Sequence, residues 1–343
     1  MTRIVAGTLL AWSVVAAAAA GADAIGPNTR GWTSFRARDF AAAEAASREA
    51  WAAASANGDA RQAGVAAANL AASFAIRGRF TEALEWSGKA EERLVAAGAR
   101  KPRGRLLAAR ALMRYADGAR EEGAKAFTQA ETWLDKDDWA LAFARLTVGL
   151  YVDPSSQKSY EGLRVLLKRA RDGQNREQTL RALLALGWAE TFFDPETSLA
   201  HYREAQDLAA AEGDAELRAY AAHDVGVAHF RRGELGPAEA AFKEGLDGVR
   251  ASGDRHLQVV LLDDLSLLHA QTGDEKRARE EDVAQQRVLA QLAEDLRSGR
   301  IEDTVLLDFR QLSKTRYLNL PGVLFPLFHG VFDQLALDPA AEP

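Results

Sequence analysis

The sequence predicts an all-α protein built as a stack of antiparallel helix pairs, and two observations carry that reading. Apolar residues make up 48% of the 343 residues but aromatics only 8%, so much of the apolar content is alanine. Alanine is the strongest helix former and lets helices pack closely. Helix breakers also fall on a regular grid: Gly58, Gly78, Gly98 and Gly118 stand 20 residues apart, as do Gly213, Gly233, Gly253 and Gly273. Each interval holds one helix of about 14–16 residues and a tight turn, because glycine supplies the left-handed backbone that ends a helix at little cost. Short turns force consecutive helices antiparallel, so two intervals form one hairpin with a period of about 40 residues. A lone hairpin cannot bury its apolar face; stacking on neighbours does, and the result is a solenoid.

The elements follow in order. Met1-Thr2-Arg3 is a short basic start, an apolar stretch runs from Ile4 to Ala20, and Gly21-Ala22-Asp23-Ala24 supplies the small residues that suit a signal peptidase. Residues 1–24 therefore read as a cleavable export signal, with an uncleaved anchor as the alternative, and a periplasmic or secreted location is expected. The run Phe40–Ala56 reads as a close-packed, alanine-rich helix. Turns then alternate between two kinds. Arg77-Gly78-Arg79 and Arg232-Gly233-Glu234 represent one, and Asn57-Gly58-Asp59, Gly213-Asp214 and Gly253-Asp254 the other, while Gly273-Asp274 repeats the same dipeptide. In the second kind the aspartate is placed to cap the next helix. The grid loses phase between Gly118 and Gly173, where helical stretches Trp139–Tyr151 and Ser159–Arg171 are broken at Asp153-Pro154-Ser155. Asp194-Pro195 marks one further slip. The repeat pattern ends near Arg297, giving about seven hairpins over residues 25–297 and a C-terminal segment 298–343. Within that segment Ile301–Leu312 reads as a closing helix. The apolar tail Tyr317–Leu337, with Leu324, Phe325, Phe328 and Phe332, is expected to lie back on the last repeat, a docking role toward a partner or membrane being the alternative.

Composition excludes several classes of function. Lys plus Arg number 43 against 49 Asp plus Glu, a net charge of −6, so the basic surface that nucleic acid requires is missing. There is no cysteine, which removes disulfides, thiolate metal sites and thiol nucleophiles together. The sequence has no phosphate-binding G-x-x-x-x-G-K-[ST] loop, no H-E-x-x-H zinc helix and no G-x-S-x-G nucleophile elbow. Asp135, Asp137 and Asp138 lack the glycine and closing glutamate of a calcium loop and read as a loop and helix start.

The stretches Asn69-Leu70-Ala71…Phe74…Gly78…Phe80…Ala83-Leu84…Ala90 and Val225-Gly226…His229…Gly233…Ala238…Phe242…Gly245-Leu246 resemble the tetratricopeptide repeat (TPR) family, with a longer period than the usual 34 residues. The resemblance implies a right-handed superhelical solenoid whose first helices line a concave groove for an extended peptide or a helix. Groove positions by that spacing are Val65, Ala68, Asn69 and Ala72; then Arg105, Ala108, Ala109 and Leu112; then Tyr220, His223, Asp224 and Val227; and finally Val260, Asp263, Asp264 and Leu267. The candidate partner-binding residues are Asn69, Arg105, Tyr220, His223, Asp224, Asp263 and Asp264. Asn69 matches an asparagine that some family members use to hold a peptide backbone, whereas the lysines that would clamp a terminal carboxylate are missing around it.

His223, Asp224 and His229 recur 40 residues later as Asp263, Asp264 and His269, so six titratable groups stack in adjacent repeats. A metal site needs His223 to face Asp263; the preferred reading is an acidic groove wall of Asp224, Asp263 and Asp264 that favours a basic or amide-rich ligand, with His229 and His269 packed within hairpins. Replacing the three aspartates should then leave folding intact. The tryptophans Trp51, Trp86, Trp133, Trp139 and Trp188 read as packing between hairpins. The function expected is a non-catalytic exported scaffold binding a protein or peptide, with no cofactor, no metal, no nucleic acid and membrane contact only through the tail. A peptide-responsive sensor is the alternative, and a His/Asp metal-dependent enzyme a remote one.

Overall fold

Five glycines of the grid stand at helix ends. Gly58, Gly98, Gly213, Gly233 and Gly273 all take φ between 69° and 79°, the left-handed region that L side chains avoid. At the Gly-Asp turns one dipeptide then serves two helices. The Asp59 N–H donates to Ala54 O (2.9 Å) and the Asp214 N–H to Ala209 O (2.9 Å), closing the helix behind. Asp59 Oδ1 accepts from the Gln62 N–H (3.0 Å) and Asp214 Oδ1 from the Leu217 N–H (2.9 Å), opening the helix ahead. Such caps contribute roughly 1 kcal/mol each.

The structure, a computed structural model, describes residues 24–297, apart from positions 38, 77–78, 117–118, 136, 154, 192 and 253–254, together with Leu337 and Pro339. The export signal, Gly78, Gly118 and Gly253, the helix expected at Ile301–Leu312 and the tail residues Leu324, Phe325, Phe328 and Phe332 lie outside the described residues. Among those described there are fourteen helices and no strand. They follow one another as hairpins: α1 (Ile25–Arg36) with α2 (Phe40–Asn57), α3 (Ala60–Ile76) with α4 (Phe80–Ala96), and α5 (Arg100–Ala116) with α6 (Arg120–Ala130). Next come α7 (Trp139–Val152) with α8 (Gln157–Asp172), and α9 (Arg176–Glu190) with α10 (Pro195–Glu212). The last two are α11 (Ala215–Arg231) with α12 (Leu235–Ser252), and α13 (Arg255–Gln271) with α14 (Glu275–Arg297). No described helix is long and apolar enough to cross a membrane.

The described residues form two compact units. Unit one holds residues up to Ala142 together with Leu337 and Pro339, and unit two runs from Phe143 onward. In unit one, α3 is buried on every side and its core is alanine: Ala66, Ala67, Ala68, Ala71, Ala72 and Ala75 are all fully buried. Small side chains bring the helices close, and large rings pack between successive hairpins: Trp51 of α2 meets Trp86 of α4 edge to face with ring centroids 5.4 Å apart. The lost phase of the glycine grid has a physical cause. Helix α6 stops early at Ala130, and the following turn folds Leu134 against Gly104, where an added Cβ would stand 2.5 Å from Leu134 Cγ.

Unit two packs the same way with larger side chains. Gly226 of α11 faces the Phe242 ring of α12, where a Cβ would meet Cδ1 at 2.4 Å, so only glycine admits the ring at that distance. Tyr220, Phe242, Leu246, Leu261 and Leu265 form the centre of its core. At the boundary, still within unit one, Asp138 of the acidic run caps α7 by accepting from the Leu141 N–H at 3.1 Å.

Candidate functional site

Asn69 sits in the middle of α3, wholly buried, on the face that also carries Val65, Ala68 and Ala72. Its carboxamide grips a single residue of the chain's own C-terminal segment. The Leu337 N–H donates to Asn69 Oδ1 at 2.7 Å, and Asn69 Nδ2 donates to Leu337 O at 3.2 Å. One side chain thus offers an acceptor and a donor to the N–H and C=O of one residue, as a neighbouring strand would. Leu337 is only 7% exposed and Pro339 is buried. Of the apolar tail Tyr317–Leu337, expected on the last repeat, Leu337 alone is described, and it belongs to unit one.

The other residues of the expected groove are placed differently. Arg105 is about half exposed, 4.0 Å from Asp138. Tyr220 is fully buried in the core of unit two, where α11 is covered on every side, so it lines no open surface. His223, Asp224 and Asp264 do come together, but as a closed triad. His223 Nδ1 meets Asp224 Oδ1 and Nε2 meets Asp264 Oδ2, each at 2.9 Å, with all three residues at least 96% buried. Burial alone would push the imidazole down, but the hydrogen bonds and charges of the two carboxylates outweigh it and push His223 up to about 10. The ring is therefore an imidazolium that donates from both nitrogens and keeps no lone pair for a metal. Burial in turn raises Asp224 above the usual carboxylate range. Asp263 stands outside the triad, half-buried, and accepts from Gln285 Nε2 at 3.2 Å.

The acidic wall expected of Asp224, Asp263 and Asp264 is thus corrected, because a buried carboxylate lowers its free energy most by pairing with a cation inside the protein. The partner of His223 is Asp264 rather than Asp263, one residue further along α13. Among the described residues no group of three or more His, Asp or Glu side chains is arranged to hold a metal ion.

Two further polar clusters in unit two went unread in the sequence. Glu190, 1% exposed, accepts from Tyr160 Oη (3.0 Å) and pairs with His201 Nδ1 (2.6 Å). Burial and the Glu190 charge push the Tyr160 phenol up to about 12, so it remains a donor. His229 Nδ1 pairs with Glu234 Oε2 (2.5 Å) while its Nε2 meets Arg203 Nη2 (3.2 Å). Since a guanidinium only donates, Nε2 must accept and Nδ1 carries the proton. His269, expected within its own hairpin, instead reaches the preceding one: its Nε2 meets Glu239 of α12 at 3.2 Å. Each cluster ties helices together; none presents an open base or nucleophile.

Consecutive hairpins with glycines at their turns and large rings set against small residues define a TPR-like helical repeat protein. No protein-family model matches the chain, and no curated protein is similar to it in sequence. Among solved structures it is similar to a Rap protein in complex with competence and sporulation factor, at 15% identity over 86% of this chain and 87% of that one, with a TM-score of 0.61. It is also similar to the apo form of RapI, at 12% identity over 85% and 81% of the two chains, TM-score 0.51. A third is a signal-transduction ATPase with numerous domains from Pyrococcus horikoshii that carries a tetratricopeptide repeat sensor, at 13% identity and TM-score 0.53. The match covers 91% of this chain but 45% of that larger one. At such identities the likeness is one of fold.

Proposed function

We propose that this protein is a non-catalytic binding protein, exported by the signal read at residues 1–24, whose unit one takes up an extended protein segment at Asn69. The observation that supports this is the pair of hydrogen bonds between the Asn69 carboxamide and the Leu337 backbone. The face accepts an extended chain through groups every residue carries, and α3 sets small side chains, Ala68 and Ala72, beside the clamp. The bonded residue is an internal one, gripped through its N–H and C=O, which agrees with a groove that lacks lysines for a terminal carboxylate. The titratable clusters of unit two are paired within the protein, which favours binding over catalysis. A sensor reading is favoured by likeness to a Rap protein complexed with competence and sporulation factor and to a protein with a repeat sensor.

Capture on immobilised full chain from its native envelope fraction, read by mass spectrometry, tests the proposal. Partners held by the wild type and lost with Asn69→Ala support it; the same set on both refutes it. A peptide ligand that changes the scattering radius would favour sensor over scaffold.

A further inference from the structure

The Asn69 face is already occupied. Its carboxamide is fully buried, and one residue of the same chain uses its donor and its acceptor together. The two partners are 268 residues apart, so the bond is a docking event between distant parts of the polypeptide and not a product of local folding. Leu337 and Pro339 are both buried, so the segment contributes apolar side chains as well as backbone. What Asn69 recognises is a peptide N–H and C=O, and any extended segment presents the same pair.

Building on the reading of Asn69 as a peptide clamp, we infer that the C-terminal segment around Leu337 is a tethered competitor for that site. A partner must displace it, and the partner class is an extended peptide of like chemistry: apolar at the gripped residue and proline two positions on, as in Leu337-Asp338-Pro339. A tethered segment acts at an effective concentration on the order of millimolar. If the tail itself binds with an intrinsic Kd of about 10 μM, such a tether weakens the apparent binding of a competing peptide about 100-fold. The protein binds its partner weakly at rest and tightly once the tail is released.

The test uses the full chain and a labelled synthetic peptide spanning residues 331–343. Leu337→Pro removes the N–H that donates to Asn69 and leaves the clamp itself untouched, whereas Asn69→Ala removes the clamp; helical content by circular dichroism checks that both fold. Fluorescence anisotropy should show Leu337→Pro binding the peptide at least about tenfold more tightly than wild type, and no binding by Asn69→Ala. Hydrogen exchange should show the wild-type Leu337 amide protected at least about tenfold over Asn69→Ala, with helix amides alike in both. A Leu337 amide that exchanges as fast in wild type as in Asn69→Ala overturns the tethered competitor, while the clamp stands if wild type still binds the peptide and Asn69→Ala does not. An Asn69-dependent protection with no peptide binding by Leu337→Pro makes the contact a structural latch, and both the competition and the clamp fall.

Discussion

Equivalent positions in the two units solve the same physical problem in opposite ways. By repeat spacing, Ala68 and Asn69 of α3 correspond to His223 and Asp224 of α11, on helices that are each buried all round. In unit one the polar group is a neutral amide, and its partners are the backbone N–H and C=O of Leu337. In unit two it is a carboxylate, and its partner is an imidazolium that also holds Asp264. A backbone partner is generic and can be exchanged for that of another chain. A buried ion pair is specific, since breaking it leaves charge without compensation in a low-dielectric interior. One register thus makes an exchangeable clamp in one unit and a fixed internal tie in the other.

The contrast is sharpened most by His223→Ala. It strands two buried carboxylates, and we expect unit two to lose about 3–5 kcal/mol, read as hydrogen exchange in α11–α13. Adding Asp224→Asn and Asp264→Asn should restore much of that loss; no restoration would mean that His223 acts through packing on Phe242 rather than charge.

The pH dependence comes next. His223 keeps its proton in the folded state up to about 10, against 6.5 for the ordinary group. Its stabilisation is therefore fully present below about pH 6.5 and is lost as pH climbs through about 10, on the order of 5 kcal/mol in unit two. The raised Asp224 acts in the same direction, favouring the fold at lower pH. Unit one behaves oppositely at Glu91. Burial there opposes ionisation, but the Arg110 and Arg103 guanidiniums outweigh it and hold the carboxyl below its ordinary 4.5, so its contribution is lost as pH falls through that region. Alkaline titration that opens unit one before unit two would break the comparison.

Smaller effects test packing and clamp. Gly226→Ala places a methyl against the Phe242 ring and should cost about 2 kcal/mol in denaturant melts, relieved by a smaller residue at position 242. Asn69→Ala should cost unit one only about 1–2 kcal/mol, because the freed Leu337 backbone can return to water. A loss there as large as that from His223→Ala would show the clamp to be as structural as the ion pair.

Much of the fold was legible because turn chemistry is local. The left-handed glycines, the Gly-Asp caps and the helices on either side of Asp153-Pro154 depend on residues within a few positions of one another. So did the choice of Asn69 as a backbone-binding amide. The acidic wall was misread because spacing places Asp224, Asp263 and Asp264 on a helix face without saying whether that face stays open. Replacing Asp224 and Asp264 is accordingly expected to disturb folding, contrary to the reading from sequence. Glu190 with His201 and Tyr160, and Arg203 with His229, left no periodic signal, since each cluster joins side chains from different repeats at unrelated spacings.

The sequence alone determined an all-helical chain cut into antiparallel pairs, because helix ends obey backbone rules that a glycine or a capping aspartate carries with it. Only the tertiary structure decided that His223 is caged by Asp224 and Asp264 and that Asn69 holds Leu337. Those outcomes depend on which groups the packing of separate helices brings to a buried polar atom and on how completely it is shielded from water.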